Sequence, residues 1–412
     1  RLDNTNKKGL WTNAKSIATG FAVHIGFGGH GMSSVLEGPD GKIYWQIGDI
    51  GANITTVDGR NLPNPNSGVL VRSNPDGTDL EIVASGIRNT HEFVFDHYGN
   101  IISSDNDGDH PGESERLVHI VEGADIGWRS NWQYGKYTDP KNNLYKVWMD
   151  EKLYLPRWEG QAAYIIPPIR NYHNGPTGMV FNPGTALGKK WQNKFFLVEF
   201  VGNANNSHIW AFDLKPKGAS FDFQSEVDVV RGILPTGIRF GPEGALYAAD
   251  WVNGWDAKNY GRVWKLDVTS KENDMAAERQ KTKEYIQMDY SKAPLSQLSE
   301  LLYYGDMRVR QKAQFELVER GDSNAFEQAI NQKENQLARV HGIWGIGQLA
   351  RKTPAFADKL IGLIQDADPE IQAQAIKTLG DNKYKNAAKA IIPSLASSSA
   401  RVQFFAAQAL GR

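Results

Sequence analysis

The sequence predicts a multidomain protein, with a β-propeller at its amino-terminal end and an α-solenoid at its carboxy-terminal end. Three observations point there. Four similar hairpins, with turns near residues 40, 98, 184 and 243, recur up to Asp267. A different, helical repeat with a period of 29 to 33 residues fills the chain beyond Tyr285. Between them the composition shifts, as Gly, Asn, Trp and Tyr give way to Ala, Leu, Gln and Lys.

The hairpins are "SSVLEGPDGKIYWQIGD", "HEFVFDHYGNIISSDND", "TGMVFNPGTALGKKWQNKFFLVEF" and "TGIRFGPEGALYAADW". Each has an apolar strand, a tight Gly or Pro turn, and a second strand that ends in an acid or a polar cluster. The third carries an insertion at its turn, and its acid, Glu199, falls slightly earlier. Antiparallel sheets repeated in this way stack radially in a propeller and leave only short edges exposed. The polar ends of the strands then converge at one end of the central channel. Four units are few for a ring, so blades upstream of Arg1 are expected. The chain starts without a methionine and stops inside a helical pattern, "AAQALGR", so both ends are expected to be cuts in a longer polypeptide.

The propeller is placed at 1–268, a polar linker or solvated helix at 269–289, and the helical repeats at 290–412. The segments "MRVRQKAQFEL", "QLARVHGIWGI", "PEIQAQAIKTL" and "ARVQFFAAQAL" put Arg or Gln at 310, 339, 372 and 403. Helical apolar spacing and the start signal "DADPE" give paired helices that stack on their neighbours. They look like HEAT repeats. Their charges read as a solvated face, and solenoids of this kind commonly hold a protein partner.

At 412 residues the chain can bury two or three cores. Lys+Arg 46 against Asp+Glu 47 leaves a net charge of −1, without the basic excess that nucleic acid or an anionic membrane requires. No apolar run approaches the roughly 18 residues of a spanning helix. With no cysteine there is no disulfide, thiolate metal site or c-type haem attachment within these residues. The same absence is compatible with a periplasmic or extracellular protein.

Four polar clusters fall at strand ends: His30 with Asp49 nineteen residues later; Arg88, Asn89, His91 and Glu92 in "GIRNTHE"; Asp105, Asn106, Asp107, Gly108 and Asp109 in "SSDNDGDHPGESE"; and Arg170, His173 and Asn174 in "RNYHNGPTG". His30 is either a surface or packing residue or a base whose tautomer Asp49 fixes. Arg88 and Asn89 suit either a planar anionic ligand or a hydrogen bond that closes a blade. The oxygens of "DNDGD" suit a hard cation such as Ca²⁺, or else a hydrated loop of Asx-turns. His173 and Arg170 are further pocket candidates. "DNTNKKG" near the start reads as a plain turn, because lysines stand where oxygens are needed.

In their order along the chain, "GHGMSSVLEGPDGKIYWQIGDIGAN", "SGIRNTHEFVFDHYGNIISSDND" and "EGADIGW" resemble the glucose/sorbosone dehydrogenase family. The resemblance is strongest over 28–128 and returns at "GPEGALYAADWVNGW" with "GRVWKL". With the HEAT repeats behind it, this last pairing looks like the large membrane-bound or PVC-type branch. The resemblance implies a six-bladed propeller that uses pyrroloquinoline quinone (PQQ) and Ca²⁺. It implies His30 as general base, Asp49 as its orienting carboxylate, and Arg88 and Asn89 beside the quinone. It implies Asn106, Asp107 and Gly108 on the calcium loop, within a candidate metal set of Asp105, Asn106, Asp107, Gly108 and Asp109. The base takes the proton of a sugar or alcohol hydroxyl as hydride passes to the quinone, with a cytochrome c as the implied electron acceptor. Where glucose-oxidising members carry a lysine this chain has "VEFVGN", and in place of an arginine pair it has "ILPTG". Arg170 and Arg231 are the substitutes available to hold the quinone's carboxylates.

The leading expectation is therefore a PQQ-dependent sugar or alcohol dehydrogenase. The alternatives are a Ca²⁺-dependent hydrolase of the lactonase type and a non-catalytic binding scaffold.

Overall fold

The computed structural model describes residues 1–5, 10–24, 29–108, 113–134, 139, 141–143, 145–156, 166–256 and 258–412. Asp109 and most of the "DNTNKKG" turn lie outside them.

Each predicted hairpin opens one antiparallel sheet. The first sheet runs Met32–Glu37, Ile43–Ile47, Gly68–Ser73 and Glu81–Ile87, with Ala124–Asp125 added parallel at its edge. The second runs Phe93–Phe95, Ile101–Asp105, Glu115–Ile120 and Arg170–Tyr172. The third runs Pro176–Phe181, Phe195–Glu199, His208–Lys217 and Ser220–Arg231. The fourth has three strands, Pro235–Phe240, Leu246–Asp250 and Arg262–Leu266.

Alternation along the second strand of each hairpin shows how the sheets stack. Ile101 joins the core between the first and second sheets, and its neighbour Ile102 the core between the second and third. Phe195 and Leu197 face the second sheet while Phe196 and Val198 face the fourth. A strand with both faces buried reads as a continuous apolar run, which is why "FFLV" is unbroken. The far face of the fourth sheet stays open, with Val263 72% exposed. On the other side of the first sheet packs a three-stranded sheet of Ala18–Thr19, Ala52–Thr56 and Asn61–Asn64, and Leu2–Thr5 pairs with Trp11–Ala14, so the described sheets form an open stack.

The four aligned helical segments begin at Met307–Glu319, Gln336–Lys352, Pro369–Asp381 and Ala400–Gly411. Asp306, Asn335, Asp368 and Ser399 cap them, each side chain accepting from a backbone N–H of the first turn. With Ser323–Asn331 and the short helices between, they share one apolar core. Among the described residues, no helix is long and apolar enough to cross a membrane.

The expected solvated face is instead a docking face. Gln314 and Gln348 both donate to Pro39 O, at 2.8 and 3.3 Å, in the first hairpin turn. Gln374 donates to Tyr98 O at 2.8 Å and Arg401 to Asn100 Oδ1 at 2.9 Å, in the second. Met307 N donates to Pro183 O at 2.7 Å in the third, and Arg308 to Gly241 O at 2.9 Å in the fourth. Helical periodicity identifies a face but not what covers it. Of the repeat positions, Arg310 reaches Tyr304 O and His97, Arg339 reaches Ile330 O and Asp366, Gln372 reaches Asp366 O, and Gln403 is exposed. Within the segment read as a linker, Ala276–Gln287 is a helix whose Arg279 is buried and donates to Glu243 O at 2.9 Å. The helices therefore hold the turn end of the sheets, and the strand ends carrying the candidate residues lie at the opposite end.

Candidate functional site

His30 stands just before the first strand of the first hairpin, and Asp49 just after the second. Gly48 lets them meet, since a Cβ there would lie 2.6 Å from His30 O and 3.0 Å from Arg88 O. The Nδ1 of His30 is 2.7 Å from Asp49 Oδ1, and both residues are buried. The other carboxylate oxygen of Asp49 accepts from the indole Nε1 of Trp128 at 3.0 Å. Its backbone is fixed as well, with Asp49 N donating to Arg88 O at 2.8 Å and Ser130 Oγ donating to Asp49 O at 2.6 Å. A carboxylate held this way keeps the proton on Nδ1 and leaves the lone pair of the ring on Nε2, as a general base requires.

Arg88 and Asn89, at the end of the fourth strand, are buried beside this pair. Arg88 is turned inward: Nη1 donates to Asn106 O and Oδ1, Nε to Gln133 at 3.3 Å, and its guanidinium lies 5.5 Å from the Trp128 ring centre. Asn106, expected at the cofactor and at the metal, is thereby the acceptor of Arg88. The Nδ2 of Asn89 donates to Gly29 O at 3.3 Å and to Nε2 of His91 at 2.9 Å. Burial, then His30 and Arg88, lower the pKa of His91 to about 4.

The acidic loop is arranged differently from the expected calcium site. Arg116, itself fully buried, donates to Asp107 and lies 3.3 Å from Asp105 Oδ2. Asp105 also accepts from the backbone N–H groups of Arg88 and Asn89. Glu115 accepts from Asp107 N and Gly108 N, at 2.5 and 2.8 Å. Burial raises Asp107 well above its ordinary value, with Arg116 pulling it down and Asp105 and Glu115 pushing it up, and burial raises Glu115 to about 8. A guanidinium thus occupies the place of the cation, because gathered carboxylates need one positive neighbour and Arg116 is nearest. Among the described residues no group of three His, Asp or Glu is placed to hold a metal. Because Arg116 already pairs with both, Asp105 and Asp107 do not by themselves fit a Ca²⁺ ligand set, and Asp107 Oδ1 is left buried without a hydrogen-bond partner among the described residues.

Arg170 and His173 belong to another cluster. Arg170 is exposed, its guanidinium 4.3 Å from the Phe223 ring centre. His173 stacks on Trp210 at 4.0 Å and lies 2.9 Å from Glu226. Arg231 is exposed and pairs with Asp228. Their partners lie along the third sheet, with outer strands rather than with His30. The described arginines named for the quinone's carboxylates are thus turned to other partners, and these residues do not fit a tricarboxylate clamp.

Trp128, the last residue of "EGADIGW", and Ser130 just after it brace Asp49, and Arg116 completes the acidic loop. The hint of Arg116 was a charged pair, Glu115–Arg116, opening an otherwise apolar strand.

Similar structures include a glucose dehydrogenase-type oxidoreductase from Thermus thermophilus, at 16% identity and a TM-score of 0.41, over 59% of this chain and 67% of that one. The PQQ-bound aldose sugar dehydrogenase of Streptomyces coelicolor aligns at 16% identity and a TM-score of 0.36, over 58% and 62%. The PQQ domain of a Coprinopsis cinerea pyranose dehydrogenase aligns at 12% and 0.30, over 64% and 87%. No curated protein matches the chain. The HEAT repeat family matches residues 323–411. The family described as a domain of unknown function, DUF7133, matches residues 2–259, and the chain belongs to that family.

Proposed function

We propose that the chain is an oxidoreductase that removes the proton of a sugar or related alcohol hydroxyl, with His30 as the base. The observation that carries this reading is the buried His30–Asp49 pair with Trp128 on the second carboxylate oxygen. A hydroxyl presented to Nε2 loses its proton to a ring that Asp49 has oriented and stabilises once charged. The sequence resemblance supports a quinone as hydride acceptor, a six-bladed ring, a c-type cytochrome as partner and a periplasmic or extracellular setting.

The test is dye reduction by the full chain with D-glucose and added PQQ, with and without Ca²⁺, against His30→Ala. Quinone-dependent reduction that His30→Ala abolishes supports the reading. No quinone binding by calorimetry and no reduction sink it.

A second reading, a lactonase-type hydrolase, is favoured by one observation. The same base can activate water, and no described cation is free of a protein partner for the quinone's carboxylates among the arginines discussed above. Hydrolysis of a sugar lactone without any quinone promotes it.

A further inference from the structure

His91 sits in "GIRNTHE" without a role in either reading, and its surroundings are unusual. It is a non-glycine residue at φ 37°, in the left-handed region that histidine seldom occupies. It is half-buried, and its Cε1 lies 3.6 Å from where a Cβ on Gly29 would be, so the ring rests against the residue that precedes His30. Ser33 Oγ donates to its carbonyl at 3.1 Å, which ties this backbone to the first strand of the first sheet.

The hydrogen bonds settle which ring nitrogen carries the proton. The Nδ2 of Asn89 must face Gly29 O, since a flipped amide would set two oxygens against each other. The same Nδ2 meets Nε2 of His91 at 2.9 Å, and an amide nitrogen can only donate. His91 Nε2 is therefore the acceptor and Nδ1 carries the hydrogen. Nδ1 has no protein partner among the described residues, and it is not among the buried unpartnered atoms. The groups that face the ring are His30, Arg88 and Asn89, and the two basic ones favour the neutral imidazole.

Two histidines thus stand side by side, each with Nδ1 as the nitrogen that its hydrogen bonds assign the proton. His30 offers a lone pair at Nε2, and His91 offers an N–H at Nδ1. We propose that His91 is a second ligand-contacting residue of this site, donating from Nδ1 to the oxygen of a bound hydroxyl or carbonyl compound while His30 takes the proton. With a hydroxyl ligand the O–H bond breaks, its proton passes to His30 Nε2, and the electron pair stays on the oxygen that His91 contacts. With a lactone His30 takes the proton of the attacking water, the water oxygen bonds to the carbonyl carbon, and the C=O π pair moves onto the oxygen that His91 contacts. A neutral imidazole suits this task, because it donates without competing for the proton. The inference rests on the site proposed above and holds for a hydroxyl or a lactone ligand alike.

The test uses the full chain with ¹⁵N-labelled histidine. Long-range ¹H–¹⁵N spectra at neutral pH report the tautomer of each ring. His91 is assigned by the signals lost in His91→Asn, since asparagine tolerates a left-handed backbone. D-Glucose and D-glucono-1,5-lactone are the probes. The expected result is a neutral Nδ1–H ring whose Nδ1 resonance moves saturably with a probe, and about 10-fold weaker binding in His91→Asn without a lower unfolding midpoint. An Nε2–H tautomer, or an Nδ1 resonance that neither probe moves, overturns the proposal. His30-dependent dye reduction with unmoved His91 signals overturns it alone, leaving proton abstraction standing. Shifted His91 signals in a protein that reduces no dye do the reverse.

Discussion

The indole nitrogen of Trp128 donates to Oδ2 of Asp49 at 3.0 Å, while His30 holds Oδ1. The two bonds fix both carboxylate oxygens, so the imidazole has one orientation. Trp128→Phe keeps an aromatic edge contact with Trp148 but removes the donor. It is expected to cost about 1.5–3 kcal/mol by denaturant unfolding, as expected for a lost hydrogen bond to a charged group. Turnover should fall less than in His30→Ala, which removes the base itself.

Arg116 makes a different prediction. With its guanidinium already on Asp105 and Asp107, the wild-type unfolding midpoint should not respond to Ca²⁺ or to a chelator. Arg116→Ala leaves buried carboxylates without their cation and should destabilise by about 3–5 kcal/mol. A midpoint that rises steeply with Ca²⁺ in the wild type refutes the assignment.

Acid should loosen the junction between sheets and helices. His97 is lowered to about 3 by burial and Arg310, and His341 lies well below its ordinary value through burial, Arg310 and His97. In the unfolded chain each takes a proton near pH 6.5, and in the folded chain neither does. The unfolded state then binds more protons, so stability is full above pH 6.5 and is lost as pH falls toward 3. By pH 5 the loss is about 2 kcal/mol per histidine. Urea midpoints from pH 7.5 to 5 check this, and His97→Gln should flatten the slope by one group's share.

Gln374 couples the halves, since it accepts from the Trp344 indole at 2.9 Å and donates to Tyr98 O at 2.8 Å. Gln374→Ala should cost about 1–3 kcal/mol. Unfolding should remain one transition, with tryptophan fluorescence and far-ultraviolet circular dichroism coinciding. Two separated transitions in the wild type contradict such coupling.

The sequence carries the hairpins because strand alternation and Gly/Pro turns are local signals. It also shows an acid or polar cluster at the end of each second strand, but not that this position is mostly structural. Asp250 accepts from Leu234 N and the Trp264 indole, and Glu199 from the Trp210 indole, whereas Asp49 also meets a histidine. The tautomer of His91 depends on how Asn89 faces Gly29, a contact 60 residues apart in the chain. Arg116 was hidden for a similar reason. Two charges at the start of a strand say nothing of the loop behind them.

The helices grip the hairpin turns at the end of the sheets remote from His30. The helix Met307–Glu319 alone reaches three of those turns, through Gln314 to the first, Met307 to the third and Arg308 to the fourth, so its position sets how far the sheets splay. Packed cores transmit such spacing rather than absorb it. The helical array is then a caliper for the mouth at the other end. Shifting that one helix should alter the spacing of the strand ends around His30 without touching any residue there.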